Sequence, residues 1–160
     1  RVLHVPQPGM SAIPLPPTAI HRRVERLRAG ADPGFVARLD SGWVVMGDPQ
    51  VIEGYCLLLP DPVPAHLNAL ERGLRLRFLD DMGRVGDALL AATGALRANY
   101  ALFGNQEPAL HAHVFPRRAD EPAVLATAQP WAWDWDAAPK FSAARHGALL
   151  MRIRAALECG

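Results

Sequence analysis

His111 and His113 stand two positions apart inside the apolar, β-prone run "PALHAHVFPR". In a strand, residues i and i+2 share a face, so this spacing sets two imidazoles side by side on one surface. Leu110, Ala112 and Val114 then share the opposite face, against a core, and Pro116 is expected to end the strand by removing a ladder donor. Paired imidazoles can act as nucleophile and acid, as a base pair, or as two ligands of a metal. They can also be plain surface residues. The surroundings favour chemistry. "GNQEP" puts the amides of Asn105 and Gln106 just before the strand, and "PRR" puts Arg117 and Arg118 at its end. Imidazoles, amides and guanidinium groups converging in one short stretch suit an anion, phosphate above all. A neutral imidazole nitrogen is a competent nucleophile near neutral pH. Asn99, Asn105 and nearby backbone N–H groups can then offset charge on the reacting phosphate. Asn99 is β-disfavoured inside "LRANYALF", which argues for a role. For Arg117 the structural reading is preferred, a pairing with a carboxylate such as Glu107. A metal reading has only two ligands, with no cysteine or carboxylate at matching spacing, so no metal is expected.

The elements that must carry these residues are legible in outline. Residues 1–17 are Pro-rich and read as an irregular N-terminal extension. Thr18 is the expected N-cap of a helix over "AIHRRVERLRAG", with Ile20, Val24 and Leu27 at helical spacing and Gly30 stopping it. "GFVARLD" and "WVVMGD" read as strands joined by the tight-turn signal "DSG", and "GYCLLLP" as a third, apolar and therefore central strand ended by Pro60. A short helix follows the prolines of "DPVPAHLNALERG". From Leu74 to Thr93, Leu76, Leu79, Met82, Val85, Ala88, Leu89 and Ala92 recur in steps of three and four, which makes this the main helix, ended by Gly94. "LRANYALFG" and "ALHAHVFP" read as a strand pair connected through "GNQEP". A Trp-rich loop, "PWAWDWDAAPKF", and a final helix over "AARHGALLMRIRAALE" complete the chain. Strands with short connections argue for an α+β fold, an antiparallel sheet with the long helix packed on it. Residues 18–120 form the expected domain, and 121–160 a tail and helix packed on it.

Composition bounds the partners. A chain of 160 residues is most simply one domain with one core, and a hydrophobic fraction of 50% with 21% charged residues fits a folded soluble protein. A formal net charge of +1 gives no general attraction to nucleic acid or membranes. Lys140 is the only lysine, which removes any G-x-x-x-x-G-K-[ST] phosphate loop. Cys56 and Cys159 are too few and too far apart for a metal knuckle or disulfide framework, and Cys56 reads as a small buried hydrophobe. No apolar run approaches the roughly 20 residues needed to span a bilayer, and the N-terminal stretch lacks the apolar core of a signal peptide. A cytoplasmic protein is expected.

The run "GNQEPALHAHVFPR" resembles the signature of the histidine-triad (HIT) nucleotide hydrolases and transferases, His-φ-His-φ-His-φ-φ with φ apolar, commonly followed by Pro-Arg. Upstream, "WVVMGDPQVIEGYCLLLPDPVPAHLNAL" is similar to that family's strand, Asp/Asn-Pro turn, Gly, apolar strand and Pro, then a helix. The likeness spans roughly residues 36–120. It implies a HIT-like fold and a reaction without a cofactor. His111 falls on the middle histidine, the family's nucleophile, which attacks the α-phosphate and forms a nucleotidyl-imidazole intermediate. His113 falls on the third, which contacts phosphate oxygens. Ala109 stands where the first histidine would be, Gly54-Tyr55 where the family often has Gly-His, and Val63 where it often has another histidine, with His66 further on. Asp48 resembles the residue that holds ribose hydroxyls, and Asn99, Asn105 and Gln106 would line the substrate. The implied partners are a nucleotide or dinucleotide substrate, such as a dinucleoside polyphosphate or a nucleotidyl conjugate, and a second copy in a homodimer. The alternative implied by Ala109 is a nucleotide-binding protein with little or no catalysis.

Outside this pattern, His4, His21, His66 and His146 are expected on surfaces or helix faces. Trp131, Trp133 and Trp135 alternate strictly and read as packing anchors of a half-buried extended arm. The sharper alternative is an indole that closes over a nucleobase.

Overall fold

The computed structural model describes residues 16–160, so the N-terminal extension lies outside the described residues except for Pro16 and Pro17, as does His4. Helix α1 (Ala19–Arg28) begins at Thr18. The Thr18 hydroxyl accepts the backbone N–H of His21, and the Thr18 backbone N–H donates to the His21 ring in return. Such a reciprocal cap satisfies two donors that the first helical turn leaves free. Strands β1 (Phe35–Arg38) and β2 (Gly42–Met46) form the expected hairpin, and β3 (Cys56–Pro60) follows. After a short 3-10 turn at Leu67–Ala69 comes the long helix α2 (Arg72–Thr93). It stops at Gly94, whose φ of 68° lies in the left-handed region that glycine adopts without a Cβ clash. Strands β4 (Arg97–Ala101) and β5 (Ala112–Arg117) and helix α3 (Ala143–Glu158) complete the order.

The five strands form one sheet in the order β1-β2-β3-β5-β4, every neighbouring pair antiparallel, with β3 in the middle. This is the α+β layout read from the sequence. The two faces of β3 and β5 go to different layers. Leu58, Ala112 and Val114 pack under α2 and α3 with Phe78, Val85, Leu89 and Ile153. Leu57, Leu59 and Phe115 face the other way, with Tyr55 and the apolar stripe Ile20, Val24 and Leu27 of α1. Each large side chain buried this way contributes about 1.5–3 kcal/mol against its exposed state. From Arg117 the chain crosses this second face. Its Trp133 and Trp135 pack there, and Gln50 N–H bonds to Pro139 O at 2.9 Å before α3 begins.

Three expectations are corrected. Pro116 does not end its strand, because β5 runs to Arg117 and Ala98 pairs with Pro116. The ladder to β3 stops at Cys56–Val114, so the side on which proline lacks its donor has no strand to bond. On α2 the buried stripe is Phe78, Asp81, Val85, Ala88 and Leu89, while Leu76 and Leu79 are exposed. Asp81 takes a core position because its carboxylate accepts Ser41 N–H at 2.8 Å and Ser41 O–H at 2.7 Å, tying the hairpin turn to the helix. His146 lies on a face of α3, as expected, and that face is turned inward: it is 1% exposed, stacked on Phe141 and accepting Ser142 N–H at 3.0 Å. His111 precedes β5 instead of lying within it.

Among the described residues, no helix is long and apolar enough to cross a membrane.

Candidate active site

Two backbone bonds hold the approach to β5. Ala109 N–H donates to Glu107 O and Leu110 N–H donates to Pro64 O, each at 2.8 Å. Leu110 is buried in the helical layer, which turns His111 to the opposite side. His111 is 6% exposed, and its Nδ1 sits 2.7 Å from the carbonyl oxygen of Ala109. A carbonyl only accepts, so Nδ1 carries the ring hydrogen and Nε2 carries the lone pair. Among the described residues nothing else bonds to this ring. The tautomer a nucleophile needs is thus fixed by a backbone atom, and Ala109 supplies it although its side chain is only a methyl.

His113 lies opposite Leu57 on one side and Ala101 on the other. Its ring is 4.8 Å from that of His111, at 71°. The Tyr55 phenol sits 2.6 Å from His113 Nδ1. Burial raises the Tyr55 pKa well above the usual phenol range, so its O–H is retained and donates. Nε2 of His113 therefore carries the hydrogen and serves as a donor. Tyr55 is itself held by stacking on Phe115, ring centroids 4.4 Å apart at 11°. Gly47 lets that ring lie against the backbone, where any Cβ would overlap it. Gln50, 2% exposed, pins the turn by donating to Gly47 O and Tyr55 O and accepting Gly54 N–H.

Burial, and then the adjacent His111, lower the His113 pKa to about 4. The ring is neutral near pH 7 and acts as a hydrogen-bond donor without a formal charge. A stability prediction follows. Unfolded His113 takes up a proton near pH 6.5 and the folded ring only near pH 4, so between these values the unfolded state binds more protons. Stability therefore falls as pH drops through that window, by roughly 2–3 kcal/mol from this group, and the contribution is complete above pH 6.5. Urea unfolding of wild type and His113→Gln from pH 7 to pH 4 checks it. The variant's curve should be flatter by that amount, and parallel curves would refute the assignment.

The two imidazoles open onto a cleft of about 680 Å³. One wall is the loop Phe103–Glu107, and the other is the tail, through Trp131, Trp135 and Asp136. A 3-10 turn at Pro130–Ala132 folds the tail so that Trp131 and Trp135 stack at 5.9 Å and 27°. Trp131 stands edge-on to His113 at 5.4 Å and 83°. Trp133 points elsewhere and covers the Arg117 guanidinium, 4.7 Å from its ring centre. The indoles thus divide, one packing on a structural cation and two walling the histidines, which a uniform extended arm does not describe.

The structure brings His111, His113, Asn105 and Gln106 into this cleft, both amides exposed at its rim. Asn99 is elsewhere, its side-chain oxygen accepting from Arg117 Nη1 at 2.7 Å. Arg117 is structural, as expected, but its carboxylate is Glu121, at 2.8 Å; Glu107 instead accepts the α1 Ala19 N–H at 3.1 Å. Asp48 lies in a neighbouring cleft with Arg22, Arg23 and Leu57, and accepts Phe141 N–H at 3.1 Å. Leu57 faces His113 across the ladder, so this second cleft adjoins the histidine pair. Cys56 is fully buried and its thiol is pushed up to about 12 by burial, leaving it inert as a nucleophile. Trp135, Glu107 and Asp136 are cleft residues that sequence reasoning did not assign. Only the alternation of the tryptophans hinted at them.

No protein-family model and no curated protein matches the chain. Solved structures do. A histidine triad protein from Marinobacter aquaeolei VT8 superposes with a TM-score of 0.70 at 17% identity, over 90% of this chain and 98% of that one. A histidine triad protein from Bradyrhizobium japonicum gives 0.68 at 21%, over 89% and 99%. A hypothetical histidine triad nucleotide-binding protein from Sulfolobus tokodaii strain 7 gives 0.67 at 14%, over 85% and 91%. The chain has the histidine-triad fold.

Proposed function

We propose, from this fold and the histidine pair it presents, that the protein is a nucleotide hydrolase or nucleotidyl transferase acting through a covalent nucleotidyl-His111 intermediate. The observation that carries the reading is the bond from His111 Nδ1 to Ala109 O, which leaves Nε2 as a lone pair aimed at a cleft beside a second, neutral imidazole. The nucleotide-binding name of the Sulfolobus protein supports the substrate class. In the first step Nε2 forms a bond to the α-phosphorus, and the bond to the leaving group breaks with its electron pair staying on that group, which takes a proton from water. His113 Nε2–H donates to an oxygen of the crowded phosphoryl group, and Tyr55 holds that tautomer. The imidazole is now a cation and a good leaving group. Water, or another acceptor, adds to phosphorus, loses a proton and frees His111.

The loss of the first histidine bears on rate, and the binding-only alternative rests on it. Here the Ala109 carbonyl keeps the bond that sets the nucleophile's tautomer, which favours turnover. Release of the nucleoside monophosphate from a fluorogenic adenosine phosphoramidate, with nucleotide affinity measured in parallel, tests this. Turnover well above that of His111→Ala is expected; tight binding with no turnover above that variant would leave only a binding protein.

A further inference from the structure

The cleft that His111 and His113 face has an unusual lining for a site that handles phosphate. It contains no lysine and no arginine. Its carboxyl groups are Glu107 and Asp136, and its apolar walls are Phe103, Trp131 and Trp135. The neighbouring cleft, which Leu57 also lines, holds Arg22, Arg23 and Arg26 together with Asp32 and Asp48, and Asp32 pairs with Arg23 and Arg26. The arginines near the histidine pair therefore line that neighbouring cleft, and the formally charged side chains of this one are carboxylates. Phe103 and Trp131 meet edge to face at 4.8 Å, and Trp131 stacks toward Trp135, so the carboxyl groups sit beside a three-ring aromatic wall. The 6% exposed His111 ring is aimed into this cleft with no partner for Nε2 among the described residues.

We infer that this cleft is the leaving-group subsite and that it selects leaving groups carrying an organic cation, held by the aromatic faces and by Glu107 and Asp136. The inference rests on the proposed nucleotidyl-transfer reading and deepens it. A cation against aromatic faces gains electrostatically from their quadrupoles, and carboxylates beside them add to the attraction. A second phosphate chain in the same place meets two carboxylates and no basic side chain to neutralise it. Phe103 and Trp131 are 57% and 42% exposed, which leaves indole and phenyl surface open to a ligand. The step is the one already balanced: the phosphorus–leaving-group bond breaks, the leaving atom keeps the pair and takes a proton from water, and the distal cation does not react.

The test uses three adenosine 5′-phosphoramidates with the same P–N bond to a primary alkyl chain, ending in an ammonium, a methyl or a carboxylate. With the wild-type protein, kcat/KM for the ammonium compound is expected to exceed that for the carboxylate compound by about 100-fold, the neutral one lying between. In the double variant Glu107→Gln, Asp136→Asn the spread should shrink to within a few-fold. The first of these substitutions keeps an acceptor oxygen for Ala19 N–H, and the pair removes both charges. Trp131→Leu should lower the rate for the ammonium compound more than for the neutral one. Cleavage of all three at equal rates overturns the inference and leaves the covalent reading standing. A preference that the double variant keeps also overturns it. Cleavage of none, with no His111 adduct, removes the reading and the inference together.

Discussion

His111→Ala is expected to lower kcat/KM at least about 1,000-fold and to abolish any covalent intermediate, while leaving the fold intact. The size follows from the role. Nε2 forms the bond to phosphorus, and no neighbouring group can replace it. His113 is neutral with its hydrogen on Nε2 and its Nδ1 occupied by the Tyr55 phenol, so it presents no lone pair to phosphorus. Cys56 is buried with its thiol raised to about 12. The structural cost is small, because the ring makes one bond, to a carbonyl that lies beside an open cleft. Steady-state kinetics with a phosphoramidate substrate, together with far-ultraviolet circular dichroism, separates these effects. A loss of only a few-fold in a folded variant would mean that the nucleophile is elsewhere.

Arg117→Ala is expected to give the largest loss of stability, about 3–5 kcal/mol. Arg117 is 8% exposed, and its guanidinium gathers a carboxylate, an amide oxygen and two carbonyls. It donates to Glu121 from Nε and Nη2, to Asn99 at 2.7 Å, to Ala128 O at 2.8 Å and to Leu125 O at 2.9 Å, and it lies under Trp133. Burial works against the Glu121 charge, but bonds from Arg117 and from Arg118 N–H outweigh it and hold its carboxyl below the usual range. Removing the arginine leaves that carboxylate with the Arg118 N–H alone and the Ala128 carbonyl without its bond, while Leu125 O keeps the Ala128 N–H. Arg117→Lys should recover little, since an ammonium cannot reproduce the planar fork. The tail that walls the cleft departs from this point, so Trp131 and Trp135 should gain mobility as well. Urea unfolding followed by tryptophan fluorescence measures the first effect, and a change below about 1 kcal/mol would show that the network is not holding the tail.

Local chemistry made much of the fold legible. Thr18 announced α1, Gly94 ended α2, and the apolar run from Cys56 had to be a central strand. The histidines were legible in part: alternation sets His113 on its face of β5, while His111, just before the strand, is turned the same way by the buried Leu110 beside it. What sequence could not supply were pairings set by distant segments. Asn99 looked free for substrate because its partner, Arg117, comes from the neighbouring strand. Arg117 pairs with Glu121, four residues on, because the chain turns back there; Glu107 is drawn off to cap α1 instead. Pro116 breaks strands only where a donor is required, and the missing neighbour on its β3 side was not visible in the run "HVFPR". Asp48 sits where a second cleft begins, and nothing in "GDPQ" fixes how the tail packs against it.

The central claim is that His111 becomes covalently nucleotidylated. The most direct measurement is the intact mass of the protein, quenched in base, where the acid-labile P–N bond survives, within milliseconds of mixing with an adenosine phosphoramidate or a dinucleoside polyphosphate. The account predicts a transient species heavier by one nucleotidyl group, present in wild type and in His66→Ala and absent in His111→Ala. Product formation with no such species at any quench time, or an adduct that persists in His111→Ala, would contradict it.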